Sequence, residues 1–383
     1  MNQRFYSLDV FRGATVALMI LVNNPGSWSH MYDPLKHATW HGCTPTDLVF
    51  PFFLFAVGNA MAFVLPRLEA AGPSVFWQKI LKRTFLIFFI GLLLNLFPFV
   101  QYNATGELVM KKLANIRFMG VLQRIAICYF VASLLLYYLK AKGAFIASTF
   151  LLLAYWFICI AGNPSDPFSL AGWFGTNIDI YLLGSKHLYK GEGIPFDPEG
   201  LMSSFAAIVQ VVFGYMAGHY ILTKGKTPEM LNGLFVAGAL LVFTGFVWDM
   251  QFPINKKIWT SSYTVYTTGL ALLVLSMMIY LIEFNNKKGA WSRFFDVFGK
   301  NALFIFVLSG ALPRLLALIR IPNGVSESGK NKFLTPFNWI YEKICSPLFN
   351  DPRNGSLMYA LFFIGLMWLI AWWMDKKKIY IKV

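Results

Sequence analysis

The sequence predicts an all-α, polytopic transmembrane helical bundle of about ten spans with both termini in the cytoplasm. Three observations carry that reading. Hydrophobic residues fill 57% of the 383 positions and charged residues only 13%, about half the charged share of a soluble domain. Mean hydropathy is +0.56. Apolar runs near the ~20 residues needed to cross a ~30 Å hydrocarbon core recur from one end to the other. The net charge of +15 argues for no nucleic-acid partner, because the basic residues sit in short loops between apolar runs, as the positive-inside rule describes.

Taken in order, the spans are read at 7–23, 46–65, 80–99, 118–139, 143–162, 200–222, 231–250, 262–283, 297–319 and 356–374, in one domain covering 1–383. Connections after odd-numbered spans are long (24–45, 100–117, 163–199, 251–261 and 320–355) and are placed outside. Those after even-numbered spans are short and basic, with Arg67, Lys79, Lys82 and Arg83, then Lys140 and Lys142, Lys224 and Lys226, and Lys287, Lys288 and Arg293. With Arg4 and the tail lysines 376, 377, 378 and 382, that side holds sixteen Lys or Arg, against thirteen spread over the longer loops. Asp9 and Arg12 interrupt the first apolar run, so no cleavable signal peptide is read there. They share a helix face at i, i+3 and can pair.

The first span opens at Ser7, read as an N-cap, and stops at Asn23-Asn24-Pro25-Gly26. About 16 helical residues span roughly 24 Å, short for a bilayer, which places Asn23 below the membrane surface. The second span starts at Thr44-Pro45-Thr46-Asp47, a capping residue, an early proline and an acid beside the positive helix end. Pro51 is expected to bend it one turn in. The four cysteines have no metal-ligand spacing, and no metal is expected.

Between these spans, Asn23 to Phe53 holds His30, His37 and His41, together with Asp33, Asp47 and four prolines. One reading is a solvated loop. The other is an active-site loop folded against the bundle, with a histidine matched to proton transfer near neutral pH. In that reading His37 is oriented by Asp47, and Asn23 supplies an amide donor to a developing oxyanion. Polar and ionisable groups at membrane depth are functional candidates. Arg12, Gln123 and Arg124 are therefore singled out, with Arg124 either snorkelling to the interface or binding an anion in a cavity, and Asn301 is a weaker signal.

The stretches SLDVFRGATVALMILVN and PLKHATWHGCTPTDLVFPFFLFAVG resemble the heparan-α-glucosaminide N-acetyltransferase family of transmembrane acyltransferases. The likeness continues through GVLQRIAICYF, LLGSKHLY, FDPEGLMSSFAAIV, INKKIWTSSYTVYTTG and GKNALFIF, in the family's order and over nearly the whole chain. The resemblance implies transfer of an acetyl group from cytoplasmic acetyl-CoA to an amino sugar or glycan amine across the membrane. It implies that His37 is the active-site histidine, Asn23 an asparagine near the acetyl donor, and Asp47 the acid of the following helix. Arg12, Gln123, Arg124 and Asn301 are then candidates to bind acetyl-CoA, and His187, Asp197, Glu199, Trp259 and Tyr263 to contact the acceptor. His37 acts either as general base or as a carrier of the acetyl group. A homodimer is a family-level expectation, and the short N-terminus suggests a bacterial inner membrane. The rival function is a transporter or glycan flippase without acyl transfer, supported by the short first span.

Overall fold

The computed structural model describes residues 5–103, 105–325 and 331–381; Arg4, Lys330 and Lys382 of the basic tally lie outside them. The chain is mostly helical. Among the described residues seven helices are long and apolar enough to cross a membrane, and a pair bent by 80° makes eight. That is fewer than ten for two physical reasons. The runs read at 118–139 and 143–162 are two helical segments that run together as α4 (Val121–Gly162) across a kink at Lys140, with φ +57° and ψ −177°, and so count once. The run read at 80–99 begins earlier, as α3 (Pro73–Leu96), and carries Lys79, Lys82 and Arg83 within it.

Helix α1 (Tyr6–Asn23) begins one residue before the expected cap. Ser7 is buried inside the helix, and its backbone N–H donates to Glu283 at 2.9 Å. A 3₁₀ turn, Pro45–Leu48, is capped by Thr44 and runs into α2 (Val49–Ala70). Because α2 starts that late, Pro51 falls in its first turn, where backbone N–H groups lack intrahelical partners anyway. The remaining helices are α5 (Gly175–Leu183), α6 (Ser204–Lys224), α7 (Pro228–Asp249), α8 (Ser261–Ile279), α9 (Ala290–Lys300), α10 (Ala302–Leu316), α11 (Pro336–Ile340) and α12 (Pro352–Lys376).

Two close approaches hold the elements that carry the site. A Cβ on Gly58 of α2 would lie 1.8 Å from the Val211 carbonyl of α6, and one on Gly214 would lie 2.1 Å from the Phe55 carbonyl. A side chain at either position would push the helices apart, as at small-residue crossings in membranes. Helix α1 meets α9 in the same way, through Gly13 against the Phe295 carbonyl and Gly299 against that of Asp9.

The two termini meet at one end of the bundle, the terminal face. Arg12 donates to the Gly299 carbonyl at 2.7 Å, Lys300 pairs with Asp375 at 3.1 Å, and Asn301 binds the tail through Ile379 and Ile381. The long connections gather at the other end, the loop face. They carry antiparallel strand pairs, β1 (Val100–Tyr102) with β2 (Leu108–Met110) and β3 (Ile321–Val325) with β4 (Asn331–Leu334). All four cysteines are free thiols.

Candidate active site

The 24–48 loop folds onto the bundle because its polar groups find partners there. Gly42 N–H donates to the Ile254 carbonyl at 2.7 Å, with φ +105°, a conformation open to glycine and costly for other residues. Lys257 donates to the Thr39 carbonyl at 2.8 Å and pairs with Glu192 at 2.6 Å. Trp40 donates its indole N–H to the Phe168 carbonyl at 2.8 Å.

At the centre of this loop His37 Nδ1 lies 2.6 Å from Asp47 Oδ1. Asp47 is 1% exposed and His37 41%. The other Asp47 oxygen accepts from Ala38 N, Thr44 N and Thr44 Oγ1, each at 3.0 Å, so the carboxylate both caps its helix and fixes the loop that bears the histidine. Tyr263 donates its hydroxyl to the Asp47 carbonyl at 2.6 Å. Residues ten apart in sequence thus meet as an imidazole and its orienting acid. With Nδ1–H given to Asp47, Nε2 holds the free lone pair.

Lys256 comes from the turn before α8. Its Nζ is 3.0 Å from His37 Nδ1 and 3.5 Å from Asp47 Oδ1. The turn is held by Asn255, whose side chain accepts from Ile258 N at 3.1 Å, and by Thr260, which accepts from Asn255 N at 3.0 Å. It closes through Trp259 at φ +50°, a region unusual for a bulky residue and typical of sites where packing enforces strain. Burial lowers the Lys256 ammonium from its ordinary range, and the Asp47 and Glu199 carboxylates offset this only in part.

A second cluster flanks the first. Arg117 binds Asp197 through two hydrogen bonds, at 2.8 and 2.5 Å, and reaches Glu199 at 2.5 Å. Asp197 is fully buried, and it also accepts from the Tyr189 and Glu199 backbones. Burial works against the charge on Glu199, but the Arg117 and Arg124 guanidiniums outweigh it and hold the carboxyl below its usual range. Burial pushes the Asp179 carboxyl up to about 6. The nearby Cys43 thiol is pushed up to about 12 by burial, which leaves it inert as a nucleophile at neutral pH.

These groups enclose a cavity of about 380 Å³ lined by His37, Asp47, Glu199, Lys256, Trp40, Tyr189 and Trp259, among others. A smaller space of about 130 Å³ shares His37, Glu199 and Lys256 with it and extends to Asn23. The side chain of Asn23 makes no hydrogen bond among the described residues and is exposed.

The expected residues therefore divide. His37, Asp47, Asn23, Glu199 and Trp259 surround connected space. Asp197 stands behind it on Arg117, and Tyr263 beneath Asp47. His187 is turned away, stacked on Phe118 at 4.0 Å and bonded to the Ile116 carbonyl at 2.7 Å. Of the four donor-binding candidates only Arg12 lines a cavity at the terminal face, about 350 Å³ with Asp9, Asn59, Arg67 and Phe63. Arg124 is fully buried instead beside the loop-face carboxylates, bonded to Ser203 and to the Gly200 carbonyl at 3.1 Å. Gln123 packs toward Gly91 of α3, and Asn301 holds the C-terminal tail. Sequence reading passed over Arg117, Glu192, Lys256 and Lys257. The adjacent lysines inside an otherwise apolar approach to α8 were the available signal.

Comparison with known proteins agrees with the resemblance carried by the sequence. Residues 4–178 match the family model "Heparan-alpha-glucosaminide N-acetyltransferase, catalytic". Over 99% of its length the chain is 27% identical to the Homo sapiens protein of that name and 26% identical to the Mus musculus one. It covers 60% of each relative's length. The matched segment contains Asn23, His37, Asp47 and Arg117, while Lys256, Asp197 and Glu199 lie beyond it.

Proposed function

From this relationship to the heparan-alpha-glucosaminide N-acetyltransferases, we propose that the chain is a transmembrane acyltransferase that moves an acetyl group from acetyl-CoA to an amine on the far side of the membrane. The observation that carries the proposal is the His37–Asp47 contact at 2.6 Å, at the mouth of a cavity lined by carboxylates and aromatic rings. Aromatic faces and carboxylates suit an amino sugar or glycan amine.

An amine must lose its proton to attack a thioester. In this reading the acceptor nitrogen attacks the acetyl carbonyl carbon while His37 Nε2 takes its proton. The C–S bond then breaks, and the CoA thiolate leaves with that proton as the thiol. Asp47 holds the imidazole in the required tautomer and stabilises the imidazolium. Asn23, with its amide unengaged, faces the developing oxyanion. Glu199 and Trp259 contact the acceptor. The alternative route, with the acetyl group carried on His37, uses the same geometry.

The donor is placed at the terminal face, taken as cytoplasmic, where Arg12 and Arg67 edge an otherwise largely apolar cavity. From Arg12 to Asn23 is eleven residues of α1, about 16 Å at 1.5 Å per residue, a distance the pantetheine arm would cross between helices. The break at Lys140 makes α4 two spans in this topology. Cysteines at Gly225→Cys and Gly289→Cys should then be labelled only from the cytoplasm, and Gly193→Cys only from outside. The direct test is CoA release by purified protein in proteoliposomes. Release that requires both acetyl-CoA and glucosamine supports the proposal. Amine movement without CoA release would favour the transporter reading.

A further inference from the structure

We propose that Lys256 is the positioning residue that fixes the proton state of His37, making the imidazole a base that accepts a proton only briefly and returns it. The inference rests on the acyltransferase reading for its chemistry and on geometry for the residue.

His37 Nδ1 has two polar neighbours, Asp47 Oδ1 at 2.6 Å and Lys256 Nζ at 3.0 Å. One ring nitrogen cannot donate to the carboxylate and accept from the ammonium together. A contact of 2.6 Å between nitrogen and an acid oxygen needs the proton between them. The Nδ1 proton therefore belongs to Asp47, and Lys256 satisfies its own charge on the same carboxylate oxygen, at 3.5 Å. Lys256 is held in place, since the turn that bears it is locked by Asn255 and Thr260 and closes through the strained Trp259.

Uptake of a proton at Nε2 then creates an imidazolium beside an ammonium. Asp47 permits that cation, and Lys256 limits its lifetime. The proton taken from the amine is thus passed on to the departing thiolate of CoA, which leaves as the thiol, and His37 returns to neutral. The other charges around His37 form compensated groups: Glu199 on Arg117, Glu192 on Lys257, and, at the loop surface, Asp33 on Lys36. Lys256 is the cation nearest the ring.

The test compares wild type with Lys256→Met, Lys256→Gln and Lys256→Arg, using two readouts. The first is the pH profile of kcat/KM for amine acetylation. The second needs no activity: the pH dependence of His37 carbethoxylation by diethylpyrocarbonate, which attacks neutral imidazole, read by mass spectrometry on the His37 peptide. Without the ammonium the imidazolium persists to higher pH. The acid limb of the rate, and the midpoint of His37 labelling, should move up by about one to three pH units in Lys256→Met and Lys256→Gln. Both should stay in place in Lys256→Arg, whatever happens to the rate. Lys256→Gln serves if the methionine variant does not fold. A folded uncharged variant whose labelling midpoint is unmoved overturns the inference. If wild type transfers no acetyl group yet the labelling midpoint shifts, the acyltransferase reading fails while the role of Lys256 stands.

Discussion

The two ends of the bundle handle charge in opposite ways. At the loop face His37, Asp47 and Lys256 come from segments more than 200 residues apart, and the acid at their centre is 1% exposed. At the terminal face the ion pair Asp9–Arg12 is made within one helical turn and is partly open to solvent. Burial raises the stakes of each charge, since a buried ion stripped of its partner is costly, whereas exposed pairs contribute little. The loop face is therefore where removing one group should hurt most, in stability as well as chemistry. Around Arg12 the terminal face has the character of a binding surface, more tolerant of change, while Lys300 on the same face holds the buried Asp296 at 2.8 Å.

Four substitutions test that contrast. Arg117→Met leaves the buried Asp197 carboxylate without its guanidinium and should cost about 3–5 kcal/mol of stability, read as a lowered thermal midpoint in detergent. Asp47→Asn keeps the shape of the cap but loosens the tautomer of His37. Acetyl transfer should fall by roughly 10- to 100-fold, with KM for acetyl-CoA unchanged, because orientation and not donor binding is lost.

Asp179 gives a pH-dependent case. Its carboxyl is raised to about 6 by burial, against an ordinary value of about 4, so the fold favours the protonated form. Its contribution is fully present below pH ~4 and is lost as pH climbs through 6. Asp179→Asn should raise the thermal midpoint by roughly a few degrees at pH 7.5 and leave it unchanged at pH 4. The smallest effect belongs to the terminal face: Arg12→Gln should raise KM for acetyl-CoA by roughly 3- to 10-fold and leave KM for the amine alone. A larger change in amine KM than in donor KM would erase the proposed division between the two ends.

How much of this was legible beforehand differs between the two ends as well. Apolar runs locate the helices, because burial in lipid demands length and composition. Local signals also place the cap at Thr44-Pro45-Thr46-Asp47 and the pairing of Asp9 with Arg12, which depend on residues three apart. The span count was harder to read, since the two segments of α4 meet at a kink at Lys140 with no loop between them and α3 carries Lys79, Lys82 and Arg83 inside. From local pattern alone the loop face was legible only through its histidine stretch; Asp197, Glu199, Trp259 and Tyr263 came through the family resemblance. Arg117 and Lys256 acquire meaning when loops 80 and 219 residues away fold onto them, and no local pattern encodes that. His187 is the converse case: expected from the sequence as an acceptor contact, it stacks on Phe118 in the fold.

The most direct test of the central claim is the acetylation rate of His37→Ala, measured at saturating acetyl-CoA and glucosamine on protein whose thermal midpoint and CoA affinity match wild type. His30→Ala and His41→Ala, from the same loop, serve as controls and should stay within about twofold of wild type. Loss of a general base costs about 10²- to 10⁴-fold, so transfer by His37→Ala should fall by at least about 100-fold while CoA still binds. A folded, CoA-binding His37→Ala protein that acetylates its amine at near wild-type rate would contradict the assignment of the loop face as the reaction centre.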